Sequence, residues 1–344
     1  MEIILPPTLA RDLILSVMHY IPPYSGVDRI RISEDRVILE GNDPTNGLAE
    51  ALRTIADNVK KNRFSIPLSG NDRGIVRKLF KCYGINENDT SDRQILTFAN
   101  SLLNVCREEH LPSLLKPELY EYNRTPGYSG KRKMEITYPS MSIMLGLIGY
   151  LGSKVGVKIE RRTRQSVLFV PQEVWIIDPR ELYFSLSLKR FLDYMGNRLF
   201  PNIYPETALI LWLALHIDLS NFKLLIISDP AGQNPATLNS QLAIDLSRVK
   251  EALKKYEILR DSDVYKRLDH ILLDALSNEP EPATIRFSTL LYEMLLEIKP
   301  WDETLFFGLR DYMSNLLIGE KRKPILEDIG IVCKVIFKKI SSKE

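Results

Sequence analysis

The stretch from Met134 to Val170, MEITYPSMSIMLGLIGYLGSKVGVKIERRTRQSVLFV, decides the fold class of the first half of the chain. Its apolar pattern predicts a strand, an apolar helix and two further strands, at 134–138, 140–151, 155–160 and 166–170. Pro139 and Ser140 open the helix. Strands on both sides of a helix indicate a mixed α/β region rather than an all-helical one.

Upstream of this stretch, strand and helix signals also alternate. Residues 29–32 and 36–40 alternate polar and apolar side chains around 33–35, which predicts a β-hairpin. Apolar side chains at helical spacing predict three helices, at 48–61, 72–83 and 92–107. Asp92 is the expected N-cap of the third helix.

Downstream, a strand at 174–177 is followed by a change of pattern. Long helical segments are predicted from there onward, at 181–200, 205–219, 236–259, 263–277, 284–298, 301–318 and 324–340. One strand-like break, at 222–227, lies among them. Long helices with short connections are typical of an antiparallel bundle. The sequence therefore predicts an α+β protein, with an N-terminal mixed α/β domain of short strands over 1–178 and a mainly helical domain, a C-terminal all-helical bundle, over 179–344.

Composition excludes several classes of protein. No run of about 18 apolar residues occurs, so we expect no membrane span, and the N-terminus lacks the pattern of a signal peptide. Three widely separated cysteines, Cys82, Cys106 and Cys333, argue against a disulfide framework and for a reducing, cytoplasmic location. No two of the four histidines stand at zinc-ligand spacing, so we expect neither a metal nor a cofactor.

Charge is distributed unevenly along the chain, although the net charge is only +2. Residues 123–164 carry 9 Lys and Arg against 2 Asp and Glu, whereas the segments before and after them are both net negative. A local excess of cations attracts polyanions whatever the mean charge is. This segment is therefore the predicted nucleic-acid-contacting part of the chain.

Two clusters of cations make up the predicted interface. The first is the basic loop, RTPGYSGKRK over 124–133, where three consecutive cations can neutralise phosphates, glycines allow close approach, and an aromatic ring can stack or wedge between bases. The second cluster, which follows about thirty residues later, consists of Lys158, Arg161, Arg162 and Arg164. The residues predicted to contact nucleic acid are Arg124, Tyr128, Lys131, Arg132, Lys133, Lys158, Arg161, Arg162 and Arg164. The alternative for the loop is a solvated turn that happens to be basic.

Three other features have plainer interpretations. Gly146, Gly149 and Gly152 match neither a dinucleotide-binding nor a Walker fingerprint, so close helix packing is the better account. The loop 229–235 resembles an active-site loop after a strand, but Asn234 or Thr237 as a helix N-cap explains it more simply. A third basic region at 320–344 is interpreted as a solvated terminal helix.

Templates for enzymes do not fit the chain. It has no Gly-x-Ser-x-Gly elbow and no His-Glu-x-x-His. Cys106 and His110 share a predicted helix face, but His110 looks like a helix end. Its acidic residues form no pattern that matches a metal-dependent nuclease. We therefore predict no catalytic residue.

The layout of the whole chain resembles the large subunit of the archaeal type I-A CRISPR interference complex. Most of the likeness comes from RFLDYMGNRLFP over 190–201, leading into PETA over 205–208, placed between an α/β front with a glycine-rich basic loop and a helical tail. The resemblance implies a role without catalysis: a place at the 5′ end of the guide RNA, help in recognising the motif that flanks the target in duplex DNA, and help in recruiting the helicase-nuclease. Base pairing would then supply sequence specificity. Other branches of that family carry a zinc-binding cysteine cluster, which this chain lacks.

Three functions remain open on the sequence alone. The first is a DNA- and RNA-contacting subunit of a CRISPR surveillance complex, whose partners are duplex DNA, guide RNA and other subunits of the complex, with no membrane. The second is an archaeal enzyme, a nuclease or nucleotide-handling protein, with an unrecognised active site. The third is a scaffold whose basic loop docks an acidic protein.

Overall fold

A computed structural model of the chain describes residues 1–117, 137–160, 163–171, 176–177, 206–216, 221–232, 234–255, 262–277, 279–317 and 323–341. The chain divides into two compact units. Unit 1 comprises Met1–Arg198 with Phe222–Ala243, and unit 2 comprises Leu199–Asn221 with Ile244–Glu344. The predicted boundary at residue 178 lies outside the described residues. Among the described helices, none is long and apolar enough to cross a membrane.

Unit 1 combines short strands with helices. Its described helices are α1 (Leu9–Met18), α2 (Pro44–Asn62), α3 (Gly70–Tyr83), α4 (Ser91–Asn100) and α5 (Ser140–Ser153), with a 3-10 turn at Ser113–Leu115. The described strands of the chain are β1 (Glu2–Ile4), β2 (Arg29–Ile32), β3 (Arg36–Glu40), β4 (Glu109–His110), β5 (Thr137–Tyr138), β6 (Lys154–Glu160), β7 (Thr163–Pro171), β8 (Ile176–Ile177), β9 (Asn221–Ser228) and β10 (Thr237–Asp245).

These strands form two four-stranded sheets and one two-stranded sheet. The first has the order β1-β3-β2-β8, the second β10-β9-β7-β6, and β4 pairs with β5. The predicted hairpin at 29–40 is confirmed, because β2 and β3 are antiparallel with Ile30 opposite Leu39. Alternating burial along both strands places one face on the core.

Helix α5 is the centre of unit 1. It is buried along almost its whole length, as expected for a helix that is apolar all round. It packs against α1, where a Cβ on Gly149 would overlap the carbonyl oxygen of Leu13. Gly146 and Gly152 likewise lie against Leu115 and Ile55. The prediction that these glycines permit close helix packing is therefore confirmed.

Local signals set the helix starts in unit 1. Thr8 caps α1 by accepting a hydrogen bond from the Ala10 N–H, and Asp43 caps α2 by accepting a hydrogen bond from the Asn46 N–H. Helix α4 has Thr90 at its N-cap, so the prediction of Asp92 there is wrong. Asp92 instead lies in the first turn, where a carboxylate favours the positive end of the helix dipole.

A disulfide joins Cys82 at the end of α3 to Cys106, with 6.1 Å between their Cα atoms. The expectation that the cysteines form no bridge is therefore wrong for this pair, while Cys333 is free and buried. The helix predicted over 92–107 also ends earlier, at Asn100, and the chain turns towards β4. His110 consequently lies in a strand and does not share a helix face with Cys106.

Unit 2 is a bundle of helices. They are α6 (Glu206–His216), α7 (Ser247–Lys255), α8 (Ser262–Ala275), α9 (Pro282–Leu295), α10 (Trp301–Leu317) and α11 (Pro324–Ser341). Six of the predicted helices correspond to these, whereas the one predicted at 181–200 lies outside the described residues. The α+β class with helices in the C-terminal region is therefore confirmed.

Polar contacts tie the helices of unit 2 together. Asp269 on α8 accepts a hydrogen bond from the Trp212 Nε1–H of α6 at 3.0 Å and lies 2.6 Å from His216 Nε2. Trp212 also stacks on His216, with 4.3 Å between ring centroids. In the same turn of α8, Arg267 and His270 both reach Asp328 on α11.

The predicted helix at 236–259 is wrong in its first part. Residues 237–245 form β10, and α7 begins only at Ser247, whose N–H donates to the Asp245 carboxylate. In TLNSQLAID, the leucines Leu238 and Leu242 fit helical spacing, but every second residue from 238 to 244 also fits a strand. Pairing with β9 decides between the two patterns. Thr237 therefore starts a strand, and neither it nor Asn234 caps a helix.

Candidate functional site

The structure describes only part of the predicted interface. Lys158 and Arg164 lie in β6 and β7. The other predicted contact residues lie outside the described residues, namely Arg124, Tyr128, Lys131, Arg132, Lys133, Arg161 and Arg162. That the basic loop and the second cluster form one interface therefore stays a prediction.

The second cluster lies at the end of an antiparallel pair of strands, called here the basic hairpin (β6 and β7). Glu160 pairs with Thr163, so only Arg161 and Arg162 separate the last paired residues. Lys158 lies opposite Gln165, one position from the pair that contains Arg164. The register therefore places Lys158 and Arg164 within the last three paired positions of the hairpin, and Arg161 and Arg162 stand between the two strands in the sequence.

Arg164 is held by a buried carboxylate. Its Nε lies 3.4 Å from Asp229 Oδ2, and the Asp229 N–H donates to the Arg164 carbonyl oxygen at 2.9 Å. The Arg164 side chain is 58% exposed, whereas that of Asp229 is 6% exposed. The guanidinium is therefore anchored on one side and open to solvent on the other.

Asp229 is in turn held by two hydroxyl groups. Its Oδ1 accepts a hydrogen bond from Ser166 Oγ at 2.6 Å and lies 3.0 Å from the hydroxyl of Tyr150. The Tyr150 hydroxyl also lies 2.6 Å from Ser166 Oγ. Burial, followed by the charge of Asp229, holds the pKa of Tyr150 well above its ordinary value, so its hydroxyl remains a donor. This network fixes the carboxylate from behind.

Lys154 adds a second cation behind Asp229. It is fully buried at the junction of α5 and β6, and its Nζ has no hydrogen-bond partner. The Nζ lies 5.5 Å from the ring centroid of Phe64 and 5.3 Å from that of Tyr150, which are cation–π distances. Burial lowers the pKa of Lys154 to about 8, against the opposing effect of Asp229. The amine is therefore mostly protonated at neutral pH, so two cations face one carboxylate.

A cleft of about 560 Å³ opens in unit 1 beside Arg164 and Asp229. One wall comes from Ser65 and Pro67, which precede α3, and another from the start of β7. The remaining wall is formed by the end of β9, the loop that follows it and the start of β10. A volume of this size is in the range of small-molecule sites.

The loop after β9 is fixed at several points. The Gly232 carbonyl accepts from the Gly70 N–H at 2.8 Å, and the Asn234 N–H donates to Ala231 at 2.9 Å. The Ala236 N–H donates to Ser113 Oγ, and Ser113 itself donates to the buried Asp72 of α3. This wall of the cleft is therefore already ordered without a ligand, which lowers the entropic cost of binding.

Sequence reasoning missed the cluster around Asp229. Tyr150, Ser166 and Asp229 are separated by up to 79 residues and carry no short motif. One signal was available: Lys154 is the only charged residue between Met141 and Val157, in an otherwise apolar and small-residue stretch. A lone cation there indicates a buried charge with a specific environment.

Metal ligands are a separate question. Within the described ranges, no group of three or more His, Cys, Asp or Glu side chains could hold a metal ion.

Comparison with known proteins gives one family. The model of the family described as CRISPR-associated protein, CsaX, matches residues 35–312. This range covers both units, including the basic loop, the basic hairpin and the cleft. No curated protein matches the chain.

Proposed function

This chain belongs to the CRISPR-associated protein CsaX family, and on that premise we propose that it is a non-catalytic subunit of a CRISPR surveillance complex that contacts nucleic acid. The proposed place is that of the large subunit of a type I-A complex, which the layout of the chain resembles. In that place it contacts target DNA beside the guide-paired segment, contacts guide RNA and helps to recruit the helicase-nuclease.

The basic hairpin is the observation that carries this proposal. Its register places Lys158 and Arg164 near one end of the edge pair of strands, and Arg161 and Arg162 stand between these strands in the sequence. Cations near one end of such a pair suit contact with phosphates, because each Lys or Arg that neutralises a phosphate releases a counterion. The basic loop, with three consecutive cations, supplies a second contact within the same charged segment.

Equilibrium binding to labelled duplex DNA over a salt series tests the proposal. A variant with Arg161→Ala and Arg162→Ala removes two cations, and a variant with Lys131→Ala, Arg132→Ala and Lys133→Ala removes three. On B-DNA each lost phosphate contact reduces the slope of log K against log salt by about 0.9. We expect the slope to fall by about 2 for the hairpin variant and by roughly 3 for the loop variant.

A matched control removes the same charge elsewhere in unit 1. Lys81 and Arg93 are exposed residues of α3 and α4, and changing both to alanine should leave the slope unchanged. Equal loss of affinity in the control and the hairpin variant would mean that only net charge matters. No change in either interface variant would refute the proposed interface.

An enzyme that handles nucleotides is the second candidate, favoured by one observation. A lysine with a lowered pKa lies behind a cleft of nucleotide size, beside a Tyr–Ser–Asp network. Incubating the isolated chain with Mg²⁺ and single-stranded DNA, RNA or nucleoside triphosphates distinguishes the two. The non-catalytic role predicts recovery of every substrate unchanged, whereas turnover that is lost in Lys154→Met would favour the enzyme.

A further inference from the structure

The cleft shares one residue, Arg164, with the proposed interface. It lies wholly within unit 1, and its mouth adjoins the end of the basic hairpin, because Thr163 and Arg164 both line it and directly follow Arg161 and Arg162. A nucleic acid held by the end of the hairpin would therefore pass the mouth of the cleft.

The charges around the cleft favour an anion at its mouth. Among the described residues that line it, Asp229 is the one acidic residue, and its Oδ1 is engaged by Tyr150 and Ser166. Arg164 offers a half-exposed guanidinium at the rim, and the buried Lys154 adds a positive charge behind the carboxylate. Arginine that is anchored on a carboxylate is already oriented to donate to a phosphate oxygen.

The interior of the cleft suits a flat group with a polar edge. Proline rings of Pro67, Pro230 and Pro235 provide apolar surface, while Asn234 and Thr237 provide an amide and a hydroxyl. Nucleobases combine an apolar face with donors and acceptors along their edge, and an amide side chain can pair with such an edge at two points.

We propose that the cleft takes one nucleotide of an unpaired strand, with its phosphate on Arg164 and its base between the prolines. This inference rests on the proposed nucleic-acid contact and names its ligand class. A base in a duplex cannot enter without losing its stacking and pairing, so the cleft selects unpaired strand over duplex. Single-stranded DNA and single-stranded RNA can both supply such a nucleotide.

The test uses the full chain and short single strands with one 2-aminopurine base, prepared as DNA and as RNA of the same sequence, with a duplex as comparison. Transfer of the base between the prolines changes its fluorescence. Arg164→Ala removes the phosphate contact, and Ala231→Trp fills the cleft while leaving all charges in place. Arg93→Ala on α4 is the control for the loss of one arginine charge.

We expect the fluorescence of at least one single strand, and not of the duplex, to change on binding. Losing a charge-assisted hydrogen bond should weaken single-strand affinity by about tenfold or more in Arg164→Ala. Ala231→Trp should abolish the fluorescence change, and Arg93→Ala should match the wild type. Thermal melting checks folding, and Ala231→Trp decides the matter if Arg164→Ala does not fold.

The possible failures are distinguishable. If the single strands bind with an affinity that depends on Arg161 and Arg162, but Ala231→Trp binds and fluoresces as the wild type does, the cleft proposal is overturned and the interface stands. If a duplex gives the same fluorescence change as the single strands, the cleft proposal is also overturned. If the wild type binds no nucleic acid, both proposals fail.

Discussion

Replacing Lys154 with methionine removes a buried cation that costs unit 1 stability. Lys154 is fully buried, and its Nζ has no hydrogen-bond partner. Burial lowers its pKa from 10.5 to about 8, so the native protein holds this proton less tightly than the unfolded chain does. The difference corresponds to about 3 kcal/mol of lost stability at neutral pH. Methionine has a similar length, is apolar and carries no such cost.

The sign of the pH dependence follows from these two pKa values. Between pH 8 and pH 10.5 the unfolded chain binds the proton and the native protein does not, so stability rises with pH across that window. The cost is complete below pH 8 and absent above pH 10.5. Lys154→Met should therefore be more stable than the wild type by up to about 3 kcal/mol at pH 7, and by less than about 1 kcal/mol at pH 10.

Urea denaturation at both pH values measures this difference. Lys81→Met, at an exposed position near the end of α3, is the control and should show no comparable gain. A Lys154→Met variant that is no more stable than the wild type at pH 7 would refute a destabilising buried charge at Lys154. A gain that is the same at pH 7 and pH 10 would also refute it. If the charge of Lys154 favours phosphate binding at the cleft, the more stable Lys154→Met variant should bind single strands more weakly than the wild type does.

Three further changes test the fold. Reducing the Cys82–Cys106 bridge, which closes 24 residues, should lower the free energy of unfolding by about 3 kcal/mol, seen by urea denaturation with and without reductant. Gly149→Ala should cost about 2 kcal/mol or more because its Cβ meets backbone, whereas Gly74→Ala, in open space within a helix, should be neutral or stabilising. Burial lowers the pKa of His19 from 6.5 to about 4. The free energy of unfolding should therefore fall by about 3 kcal/mol as the pH falls from 6.5 to 4, and His19→Gln should show a smaller fall over the same range.

Each of these three expectations has a result that would contradict it. Denaturation midpoints that do not respond to reductant would mean that the bridge does not form in the protein. Equal stability of Gly149→Ala and Gly74→Ala would contradict the close approach of α1 and α5. An acid profile of His19→Gln identical to that of the wild type would contradict the neutral, buried state of His19.

Periodicity was sufficient for the parts of the fold that are stabilised locally. The first strand of the hairpin at 29–40 alternates in sequence, and α2 and α8 show helical spacing over several turns, so their positions follow from sequence. The segment 237–245 fits both periods, and its pairing with β9 is a tertiary choice. The bridge requires the Cα atoms of Cys82 and Cys106 to come close to one another, and no sequence pattern predicts that distance. The early end of α4 was not predictable from periodicity either.

The candidate site was predictable in its charge and not in its geometry. Local composition singled out Lys158 and Arg164, and a hairpin register then placed them together. The carboxylate that holds Arg164 comes from residue 229, and no spacing rule links the two positions. The cleft is likewise assembled from three separate segments of the chain. Long-range assembly of this kind depends on packing, which composition does not encode.

The third basic region is the strongest competitor for the role of interface. In unit 2, Lys323 pairs with Glu281, and Lys334 Nζ lies 4.7 Å from the ring centroid of Tyr312. These cations therefore serve contacts within the bundle, which leaves fewer of them for phosphate. In unit 1, Arg164 is also paired with a carboxylate, and its exposure of 58% is close to the 54% of Lys323, so an experiment has to separate the two regions.

Photocrosslinking identifies the segments of the chain on which nucleic acid lies. Single-stranded DNA and duplex DNA carrying 4-thiothymidine are bound to the full chain and irradiated, and the attached peptides are identified by mass spectrometry. The account predicts adducts in peptides from the basic loop at 124–133 and from the hairpin at 158–164, with single strands also labelling 228–237. Adducts confined to peptides of unit 2, such as 320–344, would contradict it.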